Sequence, residues 1–172
     1  MTAGHCYEQA QQECATNGWV FGFKEGQTAS AKLPQIYGCK EVLQRTLDPL
    51  PSMAPGYTGI DYAVIRLDRP VEGVTPVKIR TQGELTVNTP LVVIGHPSGL
   101  PTMIADGANV RSLKDFFFLA NLDTYGGNSG SAVFNSETLE VEGILVRGEQ
   151  DYRLDSLRGC YASVKCADHA CR

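Results

Sequence analysis

Apolar residues along the chain fall in short clusters separated by Gly, Pro, Asn and Asp, and no long segment carries a helical period. The clusters predict strands at 19–23, 39–43, 62–67, 91–94, 116–122 and 143–146. In the third of these, Ala63, Ile65 and Leu67 alternate onto one face. The continuous run Leu91-Val92-Val93-Ile94 predicts a strand buried on both sides. Residues 8–14 predict a short helical turn, and residues 46–59 a Pro/Gly-rich loop. Polar, turn-rich residues 68–90 are expected to carry the crossing between two halves of the fold. Short strands with frequent turn signals point to an all-β protein, a barrel or a sandwich.

Composition narrows the class without naming a function. A chain of 172 residues can build one domain with a core, or two small barrels sharing an interface. The formal charge of −4 provides no basic footprint, so nucleic acid is not expected as a partner. No apolar run approaches the ~20 residues that cross a bilayer, so no membrane partner is expected. The first residues lack the charged and apolar regions of a signal peptide. Six cysteines argue for an oxidising compartment, and hence for a secreted or periplasmic protein with disulfides, against the alternative of reduced, buried thiols. Cys160, Cys166 and Cys171 with His169 also raise the idea of a metal cluster. Their spacings contain no Cys-x-x-Cys pair, so disulfides are the favoured reading and no metal or cofactor is expected.

Three motifs carry chemistry. Thr2-Ala3-Gly4-His5-Cys6 stands at the start, then Asp61-Tyr62-Ala63-Val64-Ile65, then Gly126-Gly127-Asn128-Ser129-Gly130-Ser131-Ala132-Val133. In these motifs and their order, His then Asp then Ser, the sequence resembles the chymotrypsin/trypsin-like serine peptidases. It is more closely similar to their bacterial branch, which includes the glutamyl endopeptidases. Other folds that use the same three residue types arrange them in a different order. The resemblance implies two antiparallel six-stranded β-barrels, residues 1–75 holding the remainder of the first and residues 76–172 the second with a Cys-rich tail. It also implies a segment before the histidine. The expectation is therefore a single domain over 1–172 whose first barrel is incomplete at its N-terminal strands.

Each motif residue then has an expected role. Ser129 is the candidate nucleophile, and a serine hydroxyl needs a neighbouring base to take its proton. His5 is that candidate base, and Asp61, on an apolar strand that would bury its carboxylate, the candidate orienter. The alternative for 126–131 is an ordinary turn, since Gly, Asn and Ser populate any loop. Gly127 and Gly130 let the backbone turn tightly, so that the amides of Gly127 and Ser129 can converge as an oxyanion hole. His96, in a strand-ending turn, is assigned to structure, and Asp68 to a solvated turn with Arg69 and Pro70.

The resemblance implies further residues at the substrate. Asp123, six positions before Ser129, falls where trypsin-like enzymes place the acidic floor of the primary pocket, implying a preference for Arg or Lys. The alternative is that Asp123 caps a turn. Leu145, Val146, Arg147 and Gly148 fall on the second pocket strand. Leu145 stands where glutamyl endopeptidases carry a glutamate-reading histidine, which disfavours that specificity. Arg147 is expected to pair with Asp123 or Glu149. Asn128 replaces the aspartate that, in zymogen-activated members, pairs with a newly cut N-terminal amine, so the oxyanion loop must be held in another way. Cys6 would bridge upstream in the family, and here either pairs with Cys14 or is free. The function expected is a monomeric serine endopeptidase acting on protein or peptide substrates through an acyl-enzyme. The alternatives are a truncated or inactive protease-fold binding module without turnover, and a redox or metal protein built on the cysteines.

Overall fold

Antiparallel pairing dominates the chain, in two curled sheets and a separate hairpin. The computed structural model describes residues 1–26, 36–50, 53, 56, 58–165 and 167. A 3-10 turn at Gly4–Tyr7 leads into α1 (Ala10–Thr16). Three strands follow, β1 (Gly18–Val20), β2 (Ile36–Leu47) and β3 (Asp61–Leu67), paired in that order. The second sheet has five strands in the order β6-β5-β4-β7-β8. These are β4 (Pro90–Gly95), β5 (Met103–Leu113), β6 (Phe118–Ala120), β7 (Ala132–Asn135) and β8 (Val141–Ile144). β9 (Tyr152–Asp155) and β10 (Cys160–Ser163) pair only with each other. The all-β expectation holds, but six strands per barrel are not found among the described residues. Residues 68–89 account for part of the difference: too polar to form a sheet, they run as loop with one parallel bridge, Ile79 to Val141.

The larger core belongs to the five-stranded sheet. Leu91, Val93, Ala108, Val110 and Val133 are buried together, and Phe118, Leu122 and Leu145 pack around them. Full burial of one such aliphatic side chain stabilises by about 1.5–3 kcal/mol. β4 is central, between β5 and β7. Its Leu91, Val92 and Val93 are buried, whereas Ile94 is 38% exposed, so the expected two-sided burial stops one residue early.

The sequence missed β7, β9, β10 and, the longest of the four, β5. Its Asp106, Gly107 and Asn109 interrupt the apolar pattern, yet β4 on one side and β6 on the other supply its backbone partners. The strands expected at 19–23 and 116–122 shorten to β1 and β6, while the one at 39–43 lengthens to β2. Two register shifts between Cys39 and Gln44 break β2's alternation, which is why its full length was hidden. Part of the loop expected at 46–59 lies outside the described residues, as do Cys166, His169 and Cys171.

The first residues are seated against β3. Thr2 exchanges two backbone hydrogen bonds with Ala63, at 2.9 and 2.8 Å, and Ala3 is fully buried. Gly4 lies so close under Thr46 and Tyr62 that a Cβ there would run into their backbone atoms. Its carbonyl accepts from Arg45 Nε at 2.9 Å. Beyond the turn, α1 is seven residues long and buries no side chain, too short to be stable alone. The Cys14–Cys39 disulfide fastens it to β2.

Candidate active site

His5, Asp61 and Ser129 come from three separate elements. His5 sits in the opening 3-10 turn, Asp61 is the first residue of β3, and Ser129 lies in the loop between β6 and β7. His5 Nδ1 is 2.9 Å from Asp61 Oδ2, and His5 Nε2 is 2.8 Å from Ser129 Oγ. The backbone N–H of His5 donates to Asp61 Oδ1 at 3.0 Å, so both carboxylate oxygens face the histidine. An ionised carboxylate can only accept. Its bond to the ring therefore requires the proton on Nδ1, which leaves Nε2 free to accept from the serine hydroxyl. The Asp61 side chain is 1% exposed, and that of His5 33%. A carboxylate so enclosed needs partners, and the turn containing His5 supplies two of them.

Arg147 supplies a third. The sequence suggested that it would pair with Asp123 or Glu149, and the structure corrects this. Its Nη2 lies 3.4 Å from Asp61 Oδ2 and 3.3 Å from the Asp48 carbonyl, and its Nη1 donates to the Gly59 carbonyl at 2.9 Å. The chain leaving β8 thus brings a long cation across to the buried carboxylate, where electrostatic demand is greater than at an exposed aspartate. Nothing in the local sequence marked this pairing, because residues 61 and 147 are far apart along the chain.

The loop holding Ser129 is tightly braced. Gly130 N–H donates to the Leu145 carbonyl at 2.7 Å, and Leu145 N–H to the Ser131 carbonyl at 2.9 Å. Leu145 itself packs against the core. Gly127 and Gly130 have φ of +96° and +84°, conformations that side-chain-bearing residues rarely adopt. At Gly130 a Cβ would also collide with Thr2, so the loop and the opening segment depend on each other for space. The buried Asn128 side chain packs against Gly95. The amides of Gly127 and Ser129 donate to no acceptor among the described residues.

The remaining candidates are more dispersed. Asp123 is exposed and has no partner among the described residues. Val146 is half-buried, and Gly148 is exposed with open space where a Cβ would be. His96 is structural, its Nδ1 3.0 Å from the Leu100 carbonyl and its ring stacked on Phe23. Asp68 pairs with Arg69 at the surface, as the sequence suggested. Cys6 does not pair with Cys14, because the helix turns Cys14 toward Cys39; among the described residues Cys6 and Cys160 are free thiols. Burial, then the negative charge of Asp61, push the Cys6 thiol above its ordinary pKa.

The trypsin-like peptidase domain model matches residues 1–144, which include all three residues of the hydrogen-bonded relay. The chain belongs to the trypsin-like peptidase family. Membership of this peptidase family implies protein substrates. The match ends at the last residue of β8, so Arg147 and the β9–β10 hairpin of this trypsin-like chain lie beyond it. No curated protein matched the chain in the sequence comparison.

Proposed function

We propose that the protein is a serine endopeptidase in which Ser129 is the nucleophile, His5 the general base and then acid, and Asp61 the residue that orients and stabilises the imidazolium. The observation that carries this reading is the continuous relay from Asp61 Oδ2 through both ring nitrogens of His5 to Ser129 Oγ, across chain separations of 56 and 124 residues. As Ser129 Oγ bonds to the scissile carbonyl carbon, its proton passes to His5 Nε2. The carbonyl oxygen becomes an oxyanion received by the amides of Gly127 and Ser129. A lost donor of this kind typically costs ~3 kcal/mol of barrier. Collapse breaks the C–N bond, the leaving amine takes the proton from His5, and an acyl-enzyme remains. Water, deprotonated by the same histidine, then releases the acid and restores the serine.

Two finer assignments accompany this reading. Asp123, exposed and unpaired among the described residues, favours Arg or Lys side chains, now that Arg147 is engaged elsewhere and does not neutralise it. Asn128 in place of an aspartate favours the bacterial branch, and the Cys14–Cys39 disulfide favours a secreted or periplasmic setting.

The test is covalent labelling with a sulfonyl fluoride or a peptidyl phosphonate, followed by peptide mapping. One equivalent on Ser129, with cleavage of Lys- or Arg-containing peptides, is the expected result. A folded protein that takes up no reagent and cleaves nothing would instead be a protease-fold binding module.

A further inference from the structure

Two consecutive glycines precede the proposed oxyanion loop, and together they create a problem. Without a Cβ on either side, the Gly126–Gly127 peptide can rotate about its flanking bonds with little steric penalty. One orientation presents the Gly127 N–H to a developing oxyanion. The opposite one puts the Gly126 carbonyl in that place, where its partial negative charge repels the same oxyanion. A working site needs the first orientation to be held.

Both polar groups of Gly126 are held. Its carbonyl accepts from Ser98 N–H at 2.6 Å. Its own N–H donates to Asp151 Oδ2, also at 2.6 Å. The peptide bonds are trans, so a carbonyl drawn toward Ser98 turns the Gly127 N–H to the other side of the plane. That is the amide left without an acceptor among the described residues. Ser98 reaches the carbonyl from the left-handed region, at φ 53°, a conformation unusual for a residue with a side chain.

Both anchors are tied to the β9–β10 hairpin. Asp151 immediately precedes β9, and its carbonyl accepts from Val164 N–H at 2.8 Å, just past β10. Tyr152 stacks on Tyr125 with ring centroids 5.4 Å apart, and its hydroxyl is 3.3 Å from Ser98 Oγ. Tyr125 OH is in turn 2.8 Å from Ser163 Oγ. The hairpin therefore grips the loop residue before Gly126 and the turn that holds its carbonyl.

We propose that Asp151, presented by this hairpin, is a positioning residue: by fixing the preceding Tyr125–Gly126 peptide while Ser98 holds the Gly126 carbonyl, it keeps the Gly126–Gly127 peptide latched in the orientation that forms the oxyanion hole. The inference rests on the serine-peptidase reading above. It assigns the role that Asn128 cannot fill: no ion pair with a released N-terminal amine is needed when a carboxylate beyond β8 orders the loop.

The experiment compares wild type with Asp151→Ala, Asp151→Ser and Asp151→Asn in steady-state peptide hydrolysis and in binding of a peptidyl boronate. Asn keeps an oxygen that accepts from Gly126 N–H; Ala does not, and Ser is too short to reach. The expected result is a 10–100-fold loss of kcat in Ala and Ser, with KM within about twofold, and near-normal kcat in Asn. Boronate affinity should fall in parallel with kcat. If Ala does not fold, Ser carries the comparison. Equal kcat in wild type, Ala and Ser overturns the latch and leaves the triad standing. An inactive, unlabelled wild type overturns the triad reading. The latch is then judged by hydrogen exchange at Ser98 N–H, which bonds the Gly126 carbonyl: protection in wild type that is lost in Ala or Ser upholds it, and equal protection overturns it.

Discussion

Arg147 and His5 share one oxygen of Asp61. Oδ2 meets His5 Nδ1 at 2.9 Å and Arg147 Nη2 at 3.4 Å, so this buried carboxylate is held both by the opening turn and by the chain that follows β8. The guanidinium also bonds the Asp48 and Gly59 carbonyls, which fixes it independently of the histidine. Replacing Arg147 by Met should destabilise the fold by about 1–2 kcal/mol, the cost of leaving a buried acceptor short of a partner. It should also lower kcat/KM about tenfold, because a less constrained Asp61 orients His5 less well. Arg147→Lys should recover only part of both, since an ammonium cannot reproduce the fork. Urea denaturation and initial-rate kinetics on the three proteins check this. Unchanged stability and rate in the Met variant would show that the contact contributes nothing.

Asp61→Asn tests the tautomer argument. An amide NH₂ can face Nδ1 only if that nitrogen gives up its proton, which places the proton on Nε2 and removes the acceptor that Ser129 requires. The expected result is a loss of about 10⁴ in kcat with KM little changed. Circular dichroism should match wild type, because Asn is of similar size and can still accept from the backbone N–H of His5.

Gly4→Ala tests whether the opening segment is held as tightly as its contacts indicate. A Cβ at Gly4 would press on the backbone of Thr46 and Tyr62, neither of which can move without disturbing β2 and β3. The predicted cost is about 1–3 kcal/mol. Activity should fall further than the unfolded fraction explains, since the displaced turn carries His5. A thermal melt with parallel active-site titration separates the two effects, and a variant indistinguishable from wild type in both would falsify the packing argument.

Cys6 offers a readout of pH. Its thiol is raised first by burial and then by the charge of Asp61, so less thiolate is present near neutral pH than for an ordinary cysteine. Alkylation of Cys6 by iodoacetamide should be slow at pH 7–8. Its rate should keep climbing with pH beyond the point where a small free thiol levels off. Exposed Cys160 should be modified first in the same digest. Mass-spectrometric rates at several pH values decide, and Cys6 reacting as fast as a free thiol at neutral pH would contradict the burial.

The sequence alone singled out His5, Asp61 and Ser129, which the fold joins by hydrogen bonds, because each stands in a local motif whose glycines and apolar neighbours have a physical purpose. It was also enough for the all-β class, since clusters such as Leu91 to Ile94 and Asp61 to Leu67 carry period and β-branching in adjacent positions. Local pattern failed where pairing was distant. β5 needed β4 and β6 to compensate for Asp106, Gly107 and Asn109. The choice of Cys39 over Cys6 as the partner of Cys14 followed from where α1 docks on β2.

The assignment of charges was likewise tertiary. Arg147 had acidic neighbours along the chain, yet it bonds to Asp61, because a buried carboxylate gains more from a cation than an exposed one does. Asp151 gave no sign in its own surroundings that it would accept from Gly126. Motifs are legible in one dimension because their chemistry is local. Which charge meets which, and which amide stays free, depends on chain segments brought together only by the closing of the sheets.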